Sequence, residues 1–328
     1  MDNFAPVLIP TLNRHIHFKR CVESLSKCTH AQKTDLFIAL DYPLKESHWE
    51  GYEKIKTYIP QIKGFKSAQV IERQENFGAR ENLQDARKRV FEDYDRIIVS
   101  EDDNEFSPNF LDYINKGLTF FENERSVIAI CGYTHLILVP EHLEKTYFFR
   151  HGLAAWGFGI TKSKYIFIDR YVNLDYVGKI LMSPSNIFSL AQNNNYHLIG
   201  SLLSGFANNE VLEDIIIATF MNLNKFYCVS PGTSLVRNHG FDGTGIHCGK
   251  IKGENIYASQ IISNNDYFEY GNLYRPMLDP IIKKEYEKFL KPSFRLKTTI
   301  SLKYMFFIMK YYLPKKLKSV LNDDLSKS

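Results

Sequence analysis

The sequence predicts an α/β protein with a parallel sheet, and two observations predict it. Over the first hundred residues, short runs rich in β-branched residues alternate with segments of helical character, at the spacing of strand-helix-strand units. The last of these runs, Ile97-Ile98-Val99-Ser100, passes directly into three acids, Glu101, Asp102 and Asp103. A continuous apolar run reads as a buried central strand. Such a strand delivers whatever follows it to the carboxyl edge of the sheet, where open α/β folds bind their ligands.

Taken in order, Val7 to Ile9 reads as a short strand ending at Pro10-Thr11-Leu12-Asn13-Arg14, and His17 to Ser26 as the helix after it. Asp35 to Leu40 is a second strand, closed by Asp41-Tyr42-Pro43, and a helix around Trp49 to Ile59 leads to a third strand near Ala68 to Ile71. Asn76-Phe77-Gly78-Ala79-Arg80 is a loop before a helix from Glu81 to Phe91 and the strand that ends in the acids. Residues 1 to 103 therefore read as a Rossmann-like, nucleotide-binding half. No G-x-G-x-x-G follows the first strand, which argues against a nicotinamide or flavin enzyme. Downstream, Phe110 to Phe121 reads as a helix, Val127 to Gly132 as a strand, and Tyr147 to Arg150 as the lead into a Gly/Ala-rich loop, residues 151 to 159. Glu213-Asp214 precedes Ile215-Ile216-Ile217-Ala218, placing carboxylates at the start of a buried helix.

Three adjacent carboxylates repel one another unless a cation sits among them. Mg²⁺ or Mn²⁺ carrying a diphosphate meets that need, because such an ion takes one or two protein carboxylates and completes its shell with phosphate oxygens and water. The plainer reading of Ser100 to Asn104 is a polar turn or a helix cap, since helices favour acids in the first turn. Trp156, in the small-residue loop, offers an apolar face to a sugar ring or else fills a core. Arg237 to Gly249 gathers four glycines, two histidines and an arginine in thirteen residues. It reads as a mobile loop whose amides and cations, Arg237 and His247 among them, could close over a diphosphate, or as a flexible surface loop.

The 328 residues suit one large catalytic domain or two smaller ones, and 44% hydrophobic content is ample for a core. Five cysteines form no C-x-x-C pair, indicating neither a zinc site nor a disulfide framework. The opening residues show no basic region or cleavage site, and no window reaches the ~18 apolar residues of a spanning helix. A cytoplasmic location is expected. From Lys288 to Asn322 there are nine Lys/Arg and no acids, against +4 for the whole chain. Tyr304 to Leu313 within it is apolar apart from Lys310. This tail, residues 281 to 328, reads as a basic amphipathic helix lying on the inner face of a membrane, or as a terminal helix packed on the main domain. Nucleic acid binding is the weaker explanation, because Phe306 to Met309 is one apolar block rather than aromatics interleaved with cations.

The chain resembles inverting glycosyltransferases of the GT-A fold, in particular N-acetylglucosaminyltransferase I and bacterial enzymes of surface-polysaccharide synthesis. The residues that carry the resemblance are Pro10 to Arg14, Val99 to Asp103 followed by Ser107-Pro108-Asn109-Phe110, Trp156 to Gly159, Glu213-Asp214 and Asn238 to Gly249. It implies a mixed GT-A sheet flanked by helices over residues 1 to 280, with residues 104 to 280 as the acceptor and catalytic half. Asp103 would bind Mn²⁺ or Mg²⁺ directly, with Asp102 on the ribose or a metal-bound water and Glu101 beside them. Arg14, Asp41 and Asn76 would line the nucleotide pocket. Asp214 matches the family's base, with Glu213 as the fallback. His239 stands where bacterial relatives usually carry an apolar residue, so it is a local variation or an added phosphate or metal contact. The donor implied is a UDP-linked sugar, UDP-N-acetylglucosamine first, and the acceptor a saccharide hydroxyl, lipid-linked at the membrane. The alternatives are a nucleotidyl- or phosphotransferase using the same acids, or a non-catalytic carbohydrate-binding protein.

Overall fold

A computed structural model describes residues 4–245, 255–271 and 276–312. The chain divides into two compact units, Met1–Ile166 with Tyr227–Ile282, and Phe167–Phe226 with Lys283–Ser328.

The first unit opens as β1 (Val7–Thr11), α1 (His15–Leu25), β2 (Asp35–Leu40), α2 (Glu46–Tyr58), β3 (Ser67–Glu72), α3 (Ala79–Asp93) and β4 (Arg96–Val99). It continues as β5 (Asn104–Phe106), α4 (Phe110–Phe120), β6 (Val127–Cys131), α5 (Glu141–Glu144), β7 (Tyr147–Arg150) and β8 (Phe158–Thr161). After the second unit's first segment come β9 (Tyr227–Pro231) and β10 (Val236–Asn238). Eight strands form one sheet in the order β3-β2-β1-β4-β8-β6-β9-β7. Its β3-β2-β1-β4 half is parallel. In the other half β8 runs antiparallel to β4 and β6, β9 parallel to β6, and β7 antiparallel to β9. The α/β expectation holds, as a mixed sheet flanked by helices.

The parallel half forms where the sequence places it, because every residue of β2 is buried and α1 turns Phe18, Cys21, Val22 and Leu25, one helical stripe, into the core. Two expectations need correction. The loop expected over 151 to 159 ends earlier, since Phe158 and Gly159 belong to β8. Gly159 lies between Ile98 and Ile130, and a Cβ there would stand 2.4 Å from Ile114 Cγ2 of α4. The glycine thus marks close helix-sheet packing rather than a loop. Arg237 and Asn238, expected in a mobile loop, form β10 and pair antiparallel with β5, Asn238 opposite Asn104.

The division falls within α6 (Lys162–Asp169), and the second unit continues with α7 (Leu174–Leu181), α8 (Pro184–Gln192), α9 (Tyr196–Asn208) and α10 (Glu213–Asn224). The chain re-enters this unit in α11 (Pro280–Phe289) and α12 (Phe294–Phe307), followed by a π-helical turn, Ile308–Tyr312. Asn173 caps α7 by accepting from the Tyr176 amide at 2.8 Å, and Pro184 starts α8. The core joins Val177, Leu181, Leu202 and Ile216 with Ile300 and Phe307 of α12. Residues 313–328 of the tail lie outside the described residues.

Candidate functional site

Two strand ends build the site. β4 ends at Val99, and the amide of Ser100 just past it donates to the Leu8 carbonyl of β1 at 3.0 Å, so the acids leave the sheet beside the exit of β1. That exit supplies Thr11 and, three residues on, Arg14 at the head of α1. Asp102 and Asp103 are only 4% and 3% exposed. Arg14 bridges them: one guanidinium nitrogen pairs with Asp102 Oδ1 and the other with Asp103 Oδ2, at 2.7 Å for the latter. Thr11 Oγ1 donates to the second Asp102 oxygen at 2.9 Å. Burial pushes the Asp102 carboxyl up; Arg14 draws it down, Asp103 adds to the rise, and the Thr11 bond lowers it. Burial opposes the Arg14 charge, yet the two aspartates hold its pKa above the ordinary value. The cation that the acid run requires is, in this arrangement, the Arg14 guanidinium.

The β5-β10 ribbon closes the other side of Asp103. Asn238 Nδ2 donates to Asp103 Oδ1 at 2.6 Å and to Asn104 Oδ1 at 3.0 Å, while the His239 amide donates to the Asp103 carbonyl at 2.9 Å. A Cβ on Gly240 would lie 2.1 Å from Asp103 Oδ2, so the backbone passes the carboxylate at a distance only glycine allows. Arg237 grips Glu105 with two bonds of 2.9 and 2.5 Å, and His239 Nε2 reaches the same carboxylate at 2.7 Å. The His239 bond, then the Arg237 bond and charge, outweigh partial burial and bring the Glu105 carboxyl down to about 2. His17 Nε2 of α1 meets Asp242 Oδ2 at 2.9 Å.

Asp41, at the end of β2, accepts from the amides of Tyr42, Phe77 and Gly78 at 2.9, 2.8 and 3.0 Å, and from Asn76 Nδ2 at 3.2 Å. Asn76 also donates to the Tyr42 carbonyl at 2.6 Å. These bonds shape the turn ahead of α3, where Gly78 has φ +79°. Trp156 is half-buried and packs edge-on against Tyr133, Phe241 and Tyr257, at ring separations of 4.4, 5.8 and 5.5 Å.

The structure therefore brings Arg14, Asp102 and Asp103 together, and separately Asp41 with Asn76. Glu101 is half-buried; its carbonyl accepts from Ser100 Oγ at 2.9 Å. Glu213 and Asp214 occupy the first turn of α10 in the second unit, Asp214 exposed and Glu213 half-buried. His247 lies outside the described residues. Sequence reasoning gave no role to Thr11, Glu105 or Gly240, although a hydroxyl closing a strand and a glycine two residues past a paired asparagine were legible signals.

Asp102 and Asp103 fit a hard divalent ion. Both are carboxylates, and each of their four oxygens carries one of the contacts above and keeps a second lone pair. Among the described residues no third His, Cys, Asp or Glu converges on them.

The chain matches no known protein family and no curated protein sequence. Among solved structures it is similar to mannosyltransferase PcManGT from Pyrobaculum calidifontis in complex with GDP-Man and Mn²⁺, at 9% identity over 49% of this chain and 46% of that one, with a TM-score of 0.34. It is similar to S. aureus TarS 1-349 at 10% identity over 71% of this chain and 60% of that one, with a TM-score of 0.40. With the UDP complex of TarS 1-349 the values are 14%, 52%, 49% and 0.33. The chain spans less than two thirds of the length of each of these proteins.

Proposed function

We propose that the chain is a glycosyltransferase of GT-A type that moves a sugar from a nucleotide diphosphate donor to a hydroxyl of a saccharide. One observation carries the reading: Asp102 and Asp103, buried and bridged by Arg14, stand at the carboxyl edge of the parallel strands β1 and β4, where α/β sheets take nucleotides. The motif resemblance to inverting enzymes, N-acetylglucosaminyltransferase I among them, supplies the finer expectations of inversion and a UDP-linked donor.

In this reading Asp103 and Asp102 hold Mn²⁺ or Mg²⁺, which when bound offsets the negative charge gathering on the departing diphosphate. The protein's own groups do the rest. Asn238 and the close pass of Gly240 fix the Asp103 carboxylate, and Thr11 fixes Asp102. Arg14 supplies a cation beside the acids that can share the charge of a phosphate. The turn ordered by Asp41 and Asn76, with Glu101, borders the nucleotide, and Trp156 offers an indole face to a sugar. Asp214, with Glu213 as the fallback, takes the proton of the acceptor hydroxyl as it attacks. The acceptor proposed is a lipid-linked saccharide on the inner membrane face.

The test is a panel of nucleotide sugars scored by thermal stabilisation with and without Mn²⁺, followed by donor hydrolysis. Stabilisation by one nucleotide sugar in a Mn²⁺-dependent manner, with release of its nucleoside diphosphate, is expected. Consumption of a nucleoside triphosphate with no sugar released would overturn the reading in favour of a nucleotidyl- or phosphotransferase.

A further inference from the structure

α12 is apolar on two opposite sides. One side carries Ile300 and Phe307, 4% and 7% exposed, into the core of the second unit. Ile300 meets Gly200 of α9, where an added Cβ would stand 3.1 Å from its Cδ1, and Phe307 packs edge-on against Phe206 at 5.5 Å. At 100° per residue, Phe294, Leu302 and Met305 of α12 fall on the far side, with Phe306 at its margin, and Met309 follows in the π-helical turn. These five are all exposed, Phe294 at 86% and Phe306 at 63%. Arg295, Lys303 and Lys310 are exposed among them, and no acid occurs from Lys288 to Asn322. A helix with one apolar stripe satisfies it against its own core; a second stripe requires a second apolar medium.

We propose that the outer side of α12 docks in the interface of an anionic lipid bilayer, with Phe294, Leu302, Phe306 and Met309 among the acyl chains and the cations at the lipid phosphates. A 14-residue helix is too short to span, and among the described residues no helix is long and apolar enough to cross a membrane. It is suited to lying in the interfacial plane, because Lys and Arg extend their stems along apolar surface while keeping their charge in the headgroup layer. Charge selects the occupant. A second copy of this chain would set two segments of like charge against each other, which disfavours self-association. An anionic surface complements the cations and solvates the apolar stripe at once. The proposal goes beyond the glycosyltransferase reading and does not depend on it.

The test is flotation of the full chain with vesicles of phosphatidylcholine alone or mixed with phosphatidylglycerol. The wild type is expected to float with the mixed vesicles, less at high salt. Leu302→Ser with Phe306→Ser, both outward-facing, should weaken partitioning by about tenfold or more, with circular dichroism and melting unchanged. Lys303→Gln with Lys310→Gln touches no apolar contact of the core and should weaken the preference for phosphatidylglycerol by about tenfold, so a misfolded first variant leaves the question decidable. Absence of wild-type binding, equal binding to both vesicle types, or unchanged flotation of a folded Leu302→Ser/Phe306→Ser protein would overturn the proposal. So would a wild-type dimer that this variant dissociates while flotation persists. No donor or turnover enters the measurement, so its outcome is read separately from that of the nucleotide-sugar panel.

Discussion

Asp103 is held from three directions: Arg14 on one oxygen, Asn238 on the other, and the Gly240 backbone closing the remaining space. If this carboxylate anchors the ion, Asp103→Ala should abolish Mn²⁺-dependent nucleotide binding while the protein stays folded, and calorimetric titration with the nucleoside diphosphate reads it directly. Asp102→Ala should be milder. Gly240→Ala is the sharper experiment because it leaves every polar group in place. Its new methyl would overlap an oxygen that Arg14 already pins, so Asp103 can yield only by breaking that pair. Nucleotide affinity should fall toward that of Asp103→Ala, and unchanged affinity would show that the ribbon can move aside. Asp214→Asn tests another step of the proposal, since it keeps shape but removes the carboxylate proposed as the base. Transfer should drop by roughly 10² to 10⁴ with donor affinity little changed; weakened donor binding with normal turnover would place Asp214 with the nucleotide instead. At this scale the acids were legible because a strand of Ile97, Ile98 and Val99 leaves them nowhere to point but the sheet edge. The partners of the acids were not. Nothing local says that Arg14, 88 residues away, meets Asp102, or that Asn238 lies 135 residues from the carboxylate it holds.

Short elements explain most of what the sequence concealed. β5 and β10 are three residues each, Asn-Glu-Phe and Val-Arg-Asn, too short and too polar to show strand alternation, and each exists because the other pairs with it. β8 was hidden by its own glycine, and α6 to α9 fall in a stretch where sequence reasoning named no element, although apolar residues of α7, α8 and α9 make a core with Ile216, Ile300 and Phe307. The ribbon carries a pH prediction. The hydrogen bond from His239, then the bond and charge of Arg237, bring the Glu105 carboxyl down to about 2 from the ordinary 4.5. Because the folded pKa is depressed, the stabilisation is fully present above pH 4.5 and is lost as pH falls through about 2. After allowance for solvent screening it is on the order of 1 to 2 kcal/mol. Urea titrations of the wild type and Glu105→Gln should therefore differ by about that amount at pH 6, draw together as the pH falls from 4.5, and converge only below about pH 2. A gap that does not narrow with acid would mean the carboxylate acts through packing rather than charge.

The two units meet different demands, and the tail shows how. Sequence alone offered membrane docking and core packing for the tail as competing readings of one helix, because a run such as Tyr304 to Leu313 has no single polar face by which to choose. With side chains placed, α12 buries Ile300 and Phe307 in the second unit and exposes Phe294, Leu302 and Phe306. This determines what a deletion does. Ending the chain after Pro292 removes both core residues, and losing a buried Ile or Phe side chain typically costs about 2 to 5 kcal/mol each. That sum is comparable to the whole stability of an ordinary domain, about 5 to 15 kcal/mol. The truncated protein is therefore expected to lose the cooperative unfolding of the helical unit, giving a broadened or missing calorimetric transition, rather than to stay well folded. A truncation that melts as sharply as the full chain would show that α12 contributes little to the core, and would leave the bilayer as the chief reason for its apolar residues.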